Sequence, residues 1–212
     1  MISAYKYYVP EISIIMAVYN RAGFLDRSIG SVISQSFTKW ELVIVDDGST
    51  DAAFETVNKY LSEYENIKYI KHKNRKLALT RNAGILASSG KYITFLDSDD
   101  EYKKEHLELR YNFFLQNPDV DFVHGGVEII GDPYVKDKND FSKSIHLNEC
   151  AIGGTFFAKR ELFLSLNGFF DIPYSEDSEL YERAVKIYKI KKVDYPTYIY
   201  YRNTPDSICN NI

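Results

Sequence analysis

The run Leu42-Val43-Ile44-Val45-Asp46-Asp47-Gly48-Ser49-Thr50-Asp51 breaks an unalternating aliphatic stretch abruptly with two carboxylates, a glycine and two hydroxyls. An apolar run of this length, bounded by turn residues, suits a strand buried on both faces, as in an open parallel α/β sheet. Such sheets take their ligands in the crevice at the carboxyl ends of their strands. The pattern then recurs, because Tyr92-Ile93-Thr94-Phe95-Leu96 runs into Asp97-Ser98-Asp99-Asp100. Two acid-tipped strands in one sheet point to a site for a cation and, through it, for a phosphate-bearing ligand. Asp, Ser and Gly also end strands and cap helices for structural reasons alone. Recurrence in this order is what lifts the motifs above that ordinary use.

The first half alternates strand and helix. Ile12 to Val18 has strand length, and Phe24, Leu25, Ile29, Val32 and Ile33 follow at helical spacing. After the second strand, Ser49 or Thr50 is placed to cap a helix carrying Phe54, Val57, Tyr60 and Leu61. Ile67 to Ile70 reads as a third strand, Leu77 to Ala87 as a helix, and Gly90 resets the chain into the strand before Asp97. A helix over about Lys104 to Leu115 stops at Asn117-Pro118. This repetition predicts a largely parallel sheet with right-handed crossovers. In the second half, Asp121 to Ile130 and Ala151 to Ala158 are strand-like, and Gly131 to Lys143 reads as a loop or lid. Arg160 to Leu166 and Ser175 to Tyr188 read as helices, and Val193 to Tyr201 as a terminal strand. The expected class is a single-domain, Rossmann-like α/β fold with a mixed, mostly parallel sheet flanked by helices.

Composition narrows the function. A length of 212 residues fits one domain with a sizeable core. The formal net charge of −4 argues against a nucleic-acid partner held by phosphate contacts. Cys150 and Cys209 are the only cysteines and lack metal-ligand spacing, so a reducing, cytoplasmic setting is expected. No secretory signal or membrane-length apolar run is visible, and peripheral contact with the inner face of a membrane stays open. Tyr5, Tyr7 and Tyr8 precede the first strand as an aromatic arm. Lys68, Lys71, Lys73, Arg75 and Lys76 form a basic run, read either as a solvated loop or as a contact for diphosphate or anionic lipid. His72, His106, His124 and His146 are scattered and read as structural or surface residues, and Trp40 as packing.

Taken in order, Ser13-Ile14-Ile15-Met16-Ala17-Val18-Tyr19-Asn20, Glu41 to Asp51, Arg81-Asn82-Ala83-Gly84, Phe95 to Asp100 and Glu176-Asp177 resemble the family-2 glycosyltransferases with the A-type nucleotide-diphospho-sugar transferase fold. The resemblance runs from about Ile12 to Arg202. It implies an inverting, metal-dependent transfer from a nucleotide-sugar, with a UDP-sugar as the expected donor, to a hydroxyl on a glycan or lipid-linked acceptor. It also implies a role in cell-surface polysaccharide or glycan biosynthesis. Ala17, Tyr19, Asn20 and Asp47 would hold the nucleoside, with Asp47 accepting from the base. Lys76 and Arg81 would lie beside the nucleotide. Asp97 and Ser98 would approach the ribose, Asp99 would reach a divalent cation, Mn²⁺ or Mg²⁺, and Asp177 would be the catalytic base, with Glu176 as its competitor. The implied organisation is an arm at 1–10, a nucleotide-sugar-binding half over about 11–118 and an acceptor and catalytic-base half over about 119–212.

The chemistry of sugar transfer asks for the same groups. A departing nucleoside diphosphate needs its charge neutralised, and a hard cation on one or two carboxylates does this. The acceptor hydroxyl needs a separate carboxylate to take its proton. Asp177 opens a helix that Ser175 is placed to cap, and the positive helix end would keep a carboxylate ionised there. Three departures from the family pattern stand out. Ala17 replaces a proline or hydroxyl residue, no glycine precedes the Arg81 helix, and Asn203-Thr204-Pro205 replaces a histidine after the last strand. Competing readings are a nucleotide-sugar-binding module without turnover, a sugar-phosphate nucleotidyltransferase and a receiver-like phosphorylation module.

Overall fold

The computed structural model describes residues 8–204, so Tyr5 and Tyr7 of the expected arm, and Cys209, lie outside the described residues. Within them the first half runs β1 (Ile12–Val18), α1 (Ala22–Ile33), β2 (Trp40–Asp46), α2 (Ala53–Leu61), β3 (Ile67–Lys71), α3 (Lys76–Ala87), β4 (Tyr92–Phe95), β5 (Glu101–Tyr102) and α4 (His106–Gln116). The second half runs β6 (Phe122–His124), β7 (Val127–Ile130), β8 (Tyr134–Asp137), β9 (Asp140–His146), β10 (Phe157–Lys159), α5 (Arg160–Ser165), α6 (Glu176–Ala184), β11 (Ile190–Lys192) and β12 (Tyr198–Tyr201).

A seven-stranded sheet in the order β11-β6-β10-β4-β1-β2-β3 forms the frame. β1 pairs in parallel with β2 on one side and β4 on the other, and only β10 runs antiparallel to its neighbours β4 and β6. The expected mixed, mostly parallel α/β sheet is therefore the observed one. β1 reads as a continuous apolar run because both of its faces are covered. Ile12, Ile14 and Met16 pack with Leu25, Ile29 and Val32 of α1 in one core, while Ile15 joins Ile93, Phe95 and Ile85 of α3 in the other. Gly84 lets α3 close onto this second face, since a Cβ there would lie 2.4 Å from Ile15 Cγ2. From β1 the chain moves to β2 and β3 on one side and then crosses to β4 on the other. That reversal makes the crevice between the ends of β1 and β4 the topological switch point, where open α/β sheets bind ligands.

Several expected boundaries change. The strand expected over Asp121 to Ile130 is two strands, because Gly125 and Gly126 take φ of +92° and +73° and turn β7 out of the main sheet. β7 instead joins β12 and β5 in a three-stranded sheet. The expected loop over Gly131 to Lys143 is the hairpin β8–β9, whose turn lies at Lys138-Asn139. The expected strand over Ala151 to Ala158 begins as a 3-10 turn at Gly153–Thr155, and only Phe157–Lys159 is paired. The terminal strand begins at Tyr198, beyond Pro196, which has no N–H to give a ladder. α6 ends at Ala184, short of the expected Tyr188.

Two capping expectations also change. Asp51, not Ser49 or Thr50, serves α2, with Oδ1 accepting from Ala53 N at 3.2 Å, while Oδ2 accepts from Ala22 N at 2.9 Å at the start of α1. Ser175 adopts φ +63° and makes no side-chain capping bond. Among the described residues, no helix is long and apolar enough to cross a membrane.

Candidate active site

All ten residues singled out from the sequence line one cleft of about 1050 Å³ at the switch point: Ala17, Tyr19, Asn20, Asp47, Lys76, Arg81, Asp97, Ser98, Asp99 and Asp177. The ends of β1, β2 and β4 supply one wall, and α6 with hairpin β8–β9 supplies the other.

The β2 end buries both of its acids but gives only Asp47 to the cleft. Asp46 is inaccessible and spends its carboxylate on Ser49 N at 2.6 Å, the Tyr69 hydroxyl and Lys71 Nζ at 3.5 Å. Burial opposes its charge, but the Tyr69 and Ser49 hydrogen bonds and Lys71 hold it below the ordinary aspartate range. Asp47 faces the cleft, and its two oxygens accept the backbone N–H groups of Arg75 at 2.6 Å and Lys76 at 2.9 Å, the start of α3. Each oxygen keeps a second lone pair for a further donor. His72, expected as a structural or surface residue, places Nδ1 3.3 Å from Asp47 Oδ1. Lys76 takes a left-handed φ of +66°, so the position before the Arg81 helix bears the backbone that a glycine would adopt without strain. Asn20 spends its side-chain oxygen on Thr50 N at 2.8 Å, which ties the β1 end to the β2 loop. Lys68 and Lys71 of the basic run are used internally: Lys68 pairs with buried Glu41 at 2.6 Å, and Lys71 donates to Ser49 O at 2.8 Å.

Arg81 braces the two halves of the chain. Its guanidinium is buried against the rings of Phe95 and Phe169, with Nη2 donating to Asp97 Oδ1 at 2.7 Å and Nη1 to Glu176 Oε1 at 2.9 Å. Burial alone would weaken its charge, yet Asp97 first and Glu176 next hold it firmly protonated. Arg81 reaches this position because Gly84, one turn on, lets α3 lie tight on β1.

Asp99 lies beyond, with Arg21 Nε 3.8 Å from its Oδ2. Burial, and then repulsion from Asp97, push its carboxyl above the usual range, with Arg21 opposing. Among the described residues, no group of three or more His, Cys, Asp and Glu side chains is arranged to hold a metal ion. Asp97 and Asp99 are crowded hard oxygen donors whose mutual repulsion a divalent cation would relieve, and a ligand's phosphate oxygens and water would complete its shell. The residues therefore fit such a cation in company with a diphosphate.

Asp177 sits at the start of α6, with Oδ2 accepting from Gly153 N at 3.0 Å and Oδ1 from Ser178 N at 2.7 Å. Burial first, then Glu176, raise its carboxyl to about 7, against the pull of Arg81 and the two backbone donors. The helix end was expected to keep this acid ionised, but burial and the neighbouring Glu176 outweigh that effect.

Three features were missed in the sequence. Arg21 follows Asn20 directly, which was its only local signal. Alternation through Tyr134-Val135-Lys136 before Lys138-Asn139 was a usable hairpin signal. The hairpin is fastened to the rest of the wall by the Lys138–Glu182 ion pair and by Tyr174 donating to Lys136 O at 2.9 Å. The approach of Tyr198 to Asp97 and Asp100 has no local signal.

Comparison with known proteins agrees with this architecture. The sequence model described as Glycosyl transferase family 2 matches residues 13–173. An uncharacterized glycosyltransferase of Haemophilus influenzae is 43% identical over 118 residues, which is 55% of this chain and 47% of that relative. TarS 1-349 of S. aureus, solved in complex with UDP-GlcNAc, superposes with a TM-score of 0.77 at 22% identity, over 93% of this chain and 60% of that one. The mannosyltransferase PcManGT of Pyrobaculum calidifontis, in complex with GDP-Man and Mn²⁺, gives 0.72 at 20% identity, over 96% and 60%. The two solved structures speak to the fold. The chain spans about half the length of the Haemophilus relative.

Proposed function

Because the chain belongs to glycosyl transferase family 2, we propose that it moves a sugar from a nucleoside-diphosphate donor, a UDP-sugar first, to a hydroxyl on a glycan or lipid-linked acceptor, with inversion at the anomeric carbon. The observation that carries this reading is the division of labour between Glu176 and Asp177. Arg81 engages Glu176 at 2.9 Å, while Asp177 meets only backbone donors among its hydrogen bonds and has its carboxyl raised to about 7. A base with its pKa near the working pH is the most useful one.

In the proposed reaction, Asp47 takes a base N–H and Asp97 approaches the ribose. Asp99, with Asp97 near it, would hold a divalent cation, which supplies charge neutralisation for the departing diphosphate. Asp177 takes the proton of the acceptor hydroxyl as that oxygen bonds to the anomeric carbon. The bond from that carbon to the diphosphate oxygen breaks, and the electron pair leaves with the nucleoside diphosphate. A single displacement of this kind inverts the centre. The structural neighbours hold UDP-GlcNAc or GDP-Man, and this supports the nucleotide-sugar class without selecting the base.

The test is release of nucleoside diphosphate from UDP-, GDP- and dTDP-sugars, with and without Mn²⁺. Release from a UDP-sugar that depends on Mn²⁺ is expected. Binding of these donors with no release under any condition, including in the presence of cell-envelope glycans, would leave a binding module and defeat the enzymatic reading.

A further inference from the structure

Asp100, the last acid of the β4 loop, turns away from the cleft and is 1% exposed. Both of its oxygens are occupied by β12: Oδ2 accepts the Tyr198 hydroxyl at 2.6 Å, and Oδ1 accepts the Tyr201 N–H at 2.8 Å. The same hydroxyl oxygen accepts the Asp97 N–H at 3.3 Å. One phenol therefore touches both ends of the loop that carries Asp99, and the Asp100 N–H closes the loop onto Asp97 O at 3.0 Å. From the opposite side, Ser28 Oγ donates to Ser98 O at 2.8 Å, and Arg27 donates to Asp99 O.

Tyr198 is fully buried and lies outside the cleft lining, so it does not touch a ligand there. The fold nevertheless makes room for its polar end, because a Cβ on Gly154 would fall 2.3 Å from both Cζ and the hydroxyl oxygen. A phenylalanine would fill nearly the same space without a buried hydroxyl, but it would leave the buried Asp100 Oδ2 without that donor, and buried polar groups are favourable only when they satisfy each other. Packing therefore does not explain this pair, whereas control of the loop does.

We infer that Tyr198 is a positioning residue of the donor site: through Asp100 and the Asp97 backbone, its hydroxyl fixes the acid loop so that Asp97 is presented to the ribose and Asp99 to the cation and diphosphate at a set spacing. The inference rests on the nucleotide-sugar reading above. It makes the last strand, about a hundred residues along the chain from the loop, part of the apparatus that presents the donor.

Two variants test this in the whole chain. Tyr198→Phe removes only the hydroxyl, and Asp100→Asn keeps shape and one acceptor, so it should fall between Tyr198→Phe and the parent. Amide hydrogen exchange is read at Asp97 to Tyr102 and in β1 and β2. Calorimetry reads UDP affinity with Mn²⁺ and with chelator. For Tyr198→Phe, faster exchange confined to the loop is expected, with the Mn²⁺-dependent gain in UDP affinity reduced at least about tenfold. UDP affinity in chelator should fall by clearly less than this, since the Asp47 end of the cleft is untouched and only the Asp97 approach to the ribose is loosened. Unchanged loop exchange, or equal loss of UDP affinity with and without Mn²⁺, overturns the inference. If Tyr198→Phe does not fold, Asp100→Asn is held to the same two criteria. A parent that binds UDP no better with Mn²⁺ overturns the proposed cation site instead, and loop exchange alone then decides the clamp.

Discussion

Glu176 and Asp177 are adjacent in the chain but face different partners: Glu176 Oε1 accepts from Arg81 Nη1 at 2.9 Å, and Asp177 Oδ2 accepts from Gly153 N at 3.0 Å. The consequence is two acids with different freedom. Glu176 is a strut between α6 and α3, with Oε1 engaged by a buried guanidinium. Asp177 has no cation among its hydrogen-bond partners and keeps a lone pair for an incoming hydroxyl.

Asp177→Asn therefore keeps the shape of the site and removes its basicity. Turnover is expected to fall by about 10²–10⁴-fold with donor affinity nearly unchanged, the signature of a lost general base. Glu176→Gln should be milder, because Arg81 keeps Asp97. Steady-state sugar transfer and calorimetric donor binding are the measurements, and parental turnover in Asp177→Asn would remove the assignment.

The pH dependence follows from the same carboxyl, which is raised in the folded state to about 7 from 3.8. Below that value the base is protonated, so kcat/KM should fall about tenfold per pH unit on the acid side. Stability runs the other way. A folded-state pKa above the unfolded one means the native protein binds the proton more tightly, so stability is lost as pH rises from about 4 to about 7. Asp177→Asn lacks this loss, so its Tm advantage over the parent should be larger at neutral than at acid pH. Thermal unfolding of both proteins across that window checks the sign.

Asp99→Ala should largely abolish the gain in UDP affinity from Mn²⁺ while leaving metal-free binding in place, because a shared cation couples carboxylate to diphosphate. Calorimetry with Mn²⁺ and with chelator reads this directly. An intact gain in the variant would move the cation elsewhere.

Asp47 does two jobs that one substitution exposes together. Asp47→Ala strips the acceptors from the Arg75 and Lys76 N–H groups and should lower stability by on the order of 1–3 kcal/mol. It should also erase a preference for uridine or thymidine over cytidine nucleotides, since their bases offer a ring N–H. Thermal-shift ranking of nucleotides on parent and variant gives both readouts, and tighter parental binding of CDP than UDP would refute the base contact.

Gly84→Ala places a methyl 2.4 Å from Ile15 Cγ2 in a closed core. Better helix propensity offsets part of the strain, leaving a net destabilisation of about 1–2 kcal/mol. Because Arg81 rides on the same helix, donor affinity should fall as well. Denaturant unfolding and UDP binding together separate this from a purely local effect.

The sequence made the strands and their chemistry legible where the signal is local. An unbroken apolar run marks a strand covered on both faces, and an acid at its end marks the crevice, so β1, β2 and β4 with Asp47, Asp97 and Asp99 could be read directly. The second half was harder because its strands are short and leave the main sheet. Gly125-Gly126 and Pro196 interrupt runs whose composition still looks continuous.

What the sequence by itself determined is the α/β class, the parallel core around β1 and the set of residues gathered at the ends of its strands. These depend on period, apolar runs and breakers, which act over a few residues. The tertiary structure alone decided that Asp47 lines the cleft while Asp46 turns to internal partners, that Arg81 takes Asp97 and Glu176 together, and that Tyr198 holds Asp100. Those partners lie up to about a hundred residues apart, and a carboxylate's role is set by whichever donor or apolar surface the folded chain brings against it.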